Sequence, residues 1–138
     1  MMEQLLLHLV GDYITQTQWM ADNKVKRWWP AFVHATIYAA PFLLIGSRLA
    51  WLVIWSTHLL IDRFSLAKYL TVLKNSFTPG DVHDVDANSE ADIERFASET
   101  WNNFGLPPRV PKWISFPVYV AVDNTMHLCI NYLALRWL

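Results

Sequence analysis

Apolar residues gather into four stretches, about Gln4 to Trp19, Pro30 to Gly46, Ala50 to Ile61 and Ile114 to Leu138, with polar or turn-rich segments between them. They predict an all-α chain. Only the last stretch reaches the roughly 20 residues that a lone spanning helix needs. Shorter spans are tolerated where helices shelter one another or thin the bilayer and where Arg and Trp anchors flank them, so the pattern predicts an integral membrane bundle of about four transmembrane helices. A rival pattern joins Pro30 to Ile61 into one helical hairpin turning at Gly46, Ser47 and Arg48, which leaves two spans.

Charge placement gives this bundle a topology. Lys24, Lys26 and Arg27 lie in the first connection and Arg63, Lys68, Lys74, Arg95, Arg109 and Lys112 in the third, whereas the opposite side holds Arg48 and Arg136. By the positive-inside rule the first and third connections face the cytoplasm and both termini face out. Trp19, Trp28, Trp29 and Trp113 then fall at cytoplasmic ends, and Trp51 and Trp137 at outer ends. The expectation is a multi-pass protein of the bacterial inner membrane, residues 1–138 forming one membrane-embedded domain with a long cytoplasmic connection over about 63–113. The opening residues lack the cationic start and cleavage site of a signal peptide and are expected to belong to the fold.

The long connection carries its own pattern. Phe64 to Lys74 mixes Leu, Tyr and Val with lysines, as in an amphipathic helix lying at an interface and continuing the third span sideways. After an acidic, turn-rich run, Ser89 with Asp92 predicts an N-cap for a helix ending near Gly105. Its Ile93, Phe96, Ala97, Trp101 and Phe104 recur at helical spacing and are expected to pack back on the bundle or the membrane surface.

Composition narrows the classes. Apolar residues are 54% and charged residues 17% of 138, with eight tryptophans, a shift away from soluble averages of roughly 45–50% and about 25%. The net charge is -1 and the basic residues form no dense cluster, so no nucleic-acid partner is expected. Cys129 is the single cysteine, which excludes an intrachain disulfide and a thiolate-rich zinc site. It is read as a packing residue.

The chemistry sits in the histidines. His8, His34, His58 and His127 lie inside apolar stretches, and three of them have an aspartate four positions away: His8 with Asp12, His58 with Asp62, and Asp123 with His127. Residues at i and i+4 share a helix face, so each pair offers an imidazole and a carboxylate to the same neighbour. Helices grip zinc this way in the H-E-x-x-H proteases, and helical bundles build di-metal carboxylate sites from inward-facing ligands. A rise of about 1.5 Å per residue spreads the seven residues over too many levels for one ion to use them all. Two adjacent ions, or one ion with polar groups around it, fit better. The metal ligands are therefore expected among His8, Asp12, His34, His58, Asp62, Asp123 and His127, with Asp12, Asp62 and Asp123 as candidate catalytic carboxylates and one or two divalent ions, zinc by preference, as cofactor.

The bland alternative is that these side chains hydrogen-bond to one another, or to Gln16, Thr57 and Asn131, and hold the helices together without metal. In the acidic run, His83 with Asp81, Asp84 and Asp86 could meet a cation, but an EF-hand loop counted from Asp84 has Ser89 at its sixth place and Arg95 at its twelfth. A solvated loop is the better reading.

The segment HLVGDYITQTQWMADNK, with the later THLLIDR and DNTMHLCIN, resembles an uncharacterised family of small integral membrane proteins of bacteria and their phages, domain of unknown function 3307. Its pattern, H-x-x-G/A-D-F/Y-x-x-Q followed by W-M-A-x-x-K, is matched by His8, Asp12, Gln16, Trp19, Met20, Ala21 and Lys24. The resemblance implies a membrane location and shared His and Asp residues, and carries no activity. A looser similarity links these helices to predicted membrane-bound metal-dependent hydrolases.

The expected function is hydrolysis of a lipid-borne ester or phosphoester at a His/Asp metal site, with membrane lipid as partner and a homo-oligomer or a host membrane protein as further candidates. One alternative is a proton or metal-ion conduit using the same residues. Another is a non-catalytic phage or bacterial membrane interaction protein with a structural polar core.

Overall fold

The first apolar stretch is not one helix. In the computed structural model, which describes residues 2–77 and 89–138, helix α1 (Met2–Leu9) runs into a single π-helical turn at Val10–Ile14, and the chain then breaks before α2 (Gln18–Asn23). Thr17 restarts it, its side chain accepting from the Met20 N–H, because a hydroxyl at the N-cap satisfies one of the amides a helix start leaves open. Helix α3 (Trp28–Ala39) carries Pro30 in its first turn, where no N–H is needed. Pro41 cannot donate to the turn before it, and the chain tightens into a 3₁₀ segment, Ala40–Leu44. Ser47 then caps α4 (Arg48–Phe64), which folds back along α3, so the hairpin connection through Gly46 and Ser47 is present.

The remaining helices are α5 (Leu66–Ser76), α6 (Glu90–Asn102) and α7 (Lys112–Trp137). Ser65, at φ 51°, ends α4 in the left-handed region, and α5 begins at Leu66. Ser89 caps α6 as its sequence predicts, and Gly105 follows at φ 84°. The reading of His83, Asp81, Asp84 and Asp86 as a cation loop falls outside the described residues.

The four-span membrane bundle is corrected by these lengths. Among the described residues no helix is long and apolar enough to cross a membrane. The breaks at Thr17 and Pro41 divide the first two stretches, and α4 has 17 residues. Only α7, at 26 residues, is long enough, but Asp123, Asn124, His127 and Asn131 interrupt its apolar run. The multi-pass inner-membrane location, the outward termini and the cytoplasmic assignment of residues 63–113 rested on those spans and fall with them.

The chain forms two compact units, Met1–Ser65 with Thr125–Leu138, and Leu66–Asn124. In the first, Tyr38, Ala39, Phe42, Ala50, Ile54 and Ala134 make a buried core, with Leu7, Trp51, Val53, Trp55 and Leu135 packed against it. Trp55 also donates its indole N–H to the Thr36 hydroxyl at 3.1 Å, tying α4 to α3. In the second unit, Tyr69 and Trp101 rings meet at 4.9 Å, Phe104 and Phe116 at 5.4 Å, and the Asn103 amide donates to the carbonyls of Pro107 and Val110. The apolar stripe of α6 is only partly covered, since Ile93 stays 56% exposed. Cys129, expected to pack, is exposed on α7.

Candidate metal centre

The first unit positions its polar residues through three backbone devices. The π turn, closed by the Thr15 N–H on the Val10 carbonyl at 2.9 Å, adds a residue to the helical circuit and sets the face that Asp12 presents. Gly11 lies flat against Tyr38, where a Cβ would come 2.4 Å from ring atom Cδ2, so only glycine lets this turn approach α3 so closely. The α3–α4 hairpin supplies the rest: His34 from α3, and His58 and Asp62 one turn apart on α4.

Four atoms converge. His34 Nε2 lies 3.3 Å from Asp12 Oδ1 and 3.1 Å from Asp62 Oδ2, and His58 Nε2 lies 3.5 Å and 3.2 Å from the same two oxygens. The two Nε2 atoms are 3.1 Å apart. Asp12 Oδ1, although buried, accepts no hydrogen bond. The His34–His58 contact is itself within hydrogen-bond geometry, and Asp62 Oδ2 also accepts from Lys24, but the Asp12 oxygen is left without a proton of its own, as a ligand awaiting a cation would be. In a tetrahedral zinc site with bonds of about 2.0–2.1 Å, ligand atoms sit about 3.3 Å apart. Five of the six edges bracket that value, while Asp12 and Asp62 fall in different groups of residues that could share an ion.

Further polar groups surround this quartet. Asn131 donates its amide N–H to the Tyr38 hydroxyl at 2.7 Å, and that hydroxyl shares a hydrogen bond of 2.9 Å with His8 Nδ1. His8 Nδ1 also stands 3.4 Å from Asp12 Oδ2. The Tyr38 ring stacks on His58 at 3.6 Å, His127 packs on the other imidazoles at 4.2 Å from His58, and His127 Nε2 is 3.6 Å from Asp62 Oδ1. Lys24 reaches in as well, its ammonium donating to Asp62 Oδ2 at 2.9 Å and to Gln16 Oε1 at 2.8 Å.

Burial and charge set the protonation states. Burial would raise the Asp12 carboxyl, but the neighbouring His34, His58 and His127 imidazoles override it and hold it below the usual value. Asp62 is likewise penalised by burial yet held well below the usual range by His58, Lys24, His127 and His34. Burial pushes His58 down to about 4, more strongly than Asp62 pulls it up. For His34 burial acts downward too, but contact with Asp12 and Asp62 wins and the imidazole is raised. Two ionised carboxylates thus face at least one neutral imidazole, the ligand states that a divalent metal requires.

Two groups of described residues could hold a metal ion: Asp12, His34 and His58, and His58, Asp62 and His127. Six of the seven expected ligands therefore meet in or beside one cluster. His8 stands behind Asp12, bound to Tyr38. Asp123, half-buried on α7 one turn before His127, belongs to neither group and falls in the second unit. Of the bland partners, Thr57 bonds carbonyls of its own helix, while Gln16 and Asn131 do join the cluster. Sequence reasoning missed Lys24, assigned to topology, and Tyr38, whose signal was its place four residues after His34.

The chain is therefore an all-helical protein with a buried His/Asp cluster suited to a divalent cation. Residues 1–86, more than half its length, match the family described as Protein of unknown function (DUF3307), and the chain belongs to that family. All four converging residues, with Gln16, Lys24 and Tyr38, lie in the matched stretch. No curated protein and no solved structure matches the chain.

Proposed function

We propose that the first unit binds one divalent ion, zinc by preference, and uses it to hydrolyse an ester or phosphoester. The observation that carries this reading is the convergence of Asp12 Oδ1 and Asp62 Oδ2 on the His34 and His58 Nε2 atoms, each within 3.1–3.5 Å. Two imidazoles and two carboxylates form a set that zinc accepts readily. The ion would supply Lewis acidity, making water a usable nucleophile near neutral pH.

His34, His58 and Asp62 are at most 4% exposed in their side chains and are the holding residues; Asp12, at 11%, is the member that solvent reaches. A carboxylate at that position can act as fourth ligand or can release the position and take the proton from water. Hydrolysis then adds hydroxyl to the acyl carbon or phosphorus and returns the proton to the departing alcohol. His127 and Tyr38 fix the His58 ring by packing, and Lys24 offsets part of the carboxylate charge.

A second reading is a structural ion, favoured by the fact that all four converging atoms belong to the protein, as in closed zinc sites. The test is elemental analysis of the purified protein beside its Asp12→Ala and His58→Ala variants, followed by assay on chromogenic ester and phosphoester substrates. The hydrolytic centre predicts one ion per chain, lost in His58→Ala but retained in Asp12→Ala with at least a hundredfold loss of turnover. Loss of both metal and fold in Asp12→Ala, with no turnover by wild type, supports the structural ion. A folded protein that takes up no zinc, manganese or iron sinks both.

A further inference from the structure

Charge around the cluster points to the substrate class. Asp12 and Asp62 contribute two negative charges and Lys24 one positive, so a divalent ion bound among neutral imidazoles leaves one uncompensated positive charge. Unbalanced charge in a buried place is costly and is relieved by a counter-charge. The most exposed side chains of the cluster are Asp12 at 11% and Lys24 at 18%, so Lys24 is the cation of the cluster nearest to solvent.

More cations follow Lys24 along the chain. Lys26 and Arg27 are exposed just after Lys24, and the Arg63 guanidinium donates to the Val25 carbonyl and lies 5.0 Å above the Trp28 ring. The one nearby carboxylate in the same stretch, Asp22, is exposed and already accepts from Gln18. Lys24 is itself placed by Gln16, so its ammonium has a partner other than Asp62. A divalent ion on Asp62 Oδ2 repels the ammonium that shares that oxygen and weakens the oxygen as an acceptor. Lys24 would then keep its bond to Gln16 and have its remaining donors open to an anion.

Resting on the metal reading above, we infer that the loaded centre takes a phosphoester, its phosphoryl group received by Lys24 with Lys26 and Arg27 at the rim. A phosphodiester carries one negative charge near neutral pH and neutralises the excess, whereas an uncharged ester leaves it standing.

The test is calorimetric titration of inorganic phosphate into the zinc-loaded protein at low ionic strength, with zinc content measured on the same samples. Wild type is expected to bind one phosphate saturably. Lys24→Gln is expected to keep its zinc and lose at least tenfold in phosphate affinity, and Lys24→Arg to recover most of it. The exposed double variant Lys26→Gln with Arg27→Gln serves where Lys24→Gln fails to fold, and is expected to weaken binding severalfold at low salt and less at high salt. Zinc-loaded wild type that binds no phosphate, or Lys24→Gln that binds it equally well, overturns the inference and leaves the metal centre standing. Wild type that takes up no zinc overturns the metal reading and this inference with it.

Discussion

The Nε2 atoms of His34 and His58 stand 3.1 Å apart in a place where both side chains are buried. A neutral imidazole has one N–H, so one proton can lie between them, yet each nitrogen also faces Asp12 and Asp62. Hydrogen bonds cannot satisfy all of these approaches at once, because each Nε2 has a single direction in which to donate or accept. A cation at the common centre satisfies every lone pair together.

Cobalt makes that arrangement visible. Co²⁺ added to metal-free protein is expected to give the intense visible bands of a tetrahedral site at one equivalent. His34→Ala and His58→Ala are expected to abolish them, while His8→Ala shifts them without removing the ion, since His8 bonds to Tyr38 rather than joining the quartet. Weak octahedral bands in wild type, or bands unchanged in His34→Ala, would contradict the geometry.

The pH dependence of the metal-free protein separates the two histidines. His58 falls to about 4 from the 6.5 of a free imidazole, so between those values the unfolded chain binds more protons and stability drops as pH falls. The full effect is about 3 kcal/mol. His34 acts in the opposite sense: its raised value contributes stability below 6.5 that is lost as pH climbs through the raised value. Asp12 and Asp62, both lowered, keep their contributions above 3.8 and lose them as pH falls through their folded values. Urea midpoints of wild type are therefore expected to fall as pH rises above 6.5, and those of His34→Gln to fall less steeply over the same range. Parallel slopes would refute the assignment.

How much of this centre was legible follows from one spacing. His8 with Asp12, His34 with Tyr38, His58 with Asp62, and His127 with Asn131 are each four residues apart, and every one of these residues belongs to the cluster or its surroundings. The i,i+4 rule therefore paired His8 with Asp12 and His58 with Asp62 from sequence, even where the first pair straddles a π turn that no pattern announces, but the same spacing from His34 to Tyr38 and from His127 to Asn131 went unread. The rule also paired Asp123 with His127, and Asp123 is in neither group of described residues that could hold an ion. The membrane reading failed for a different reason. Hydropathy was counted across Thr17 and Pro41, where a side-chain cap and a missing N–H end the helices. Lys24 was hidden by distance, since its partner Asp62 lies 38 positions away.

Tyr38→Phe tests the layer behind the ligands. The hydroxyl joins His8 to Asn131, and both partners are at most 2% exposed, so its removal leaves an amide and an imidazole without that bond. A loss of about 1–3 kcal/mol in urea denaturation is expected. The phenylalanine ring keeps its stacking on His58, so zinc affinity is expected to change less than threefold. A large loss of zinc affinity would make the hydroxyl, rather than the ring, the group that orients His58.

Gly11→Ala tests the turn that carries Asp12. The added methyl would meet Tyr38 Cδ2 at 2.4 Å, far inside van der Waals contact, and Tyr38 is fully buried with its ring stacked on His58 and its hydroxyl bonded on both sides. The ring cannot retreat without breaking those contacts, so the π turn must move away from α3 and take Asp12 with it. Overpacking of this kind costs about 1–3 kcal/mol, measurable as a lowered urea midpoint in the metal-free protein. Displacement of one ligand also weakens the site, so zinc affinity is expected to fall at least tenfold while His58 and Asp62 remain in place. If stability drops but zinc affinity is unchanged, Asp12 is not a ligand and the ion is held by His34, His58 and Asp62 alone. If neither changes, the close approach of the π turn to Tyr38 is wrong.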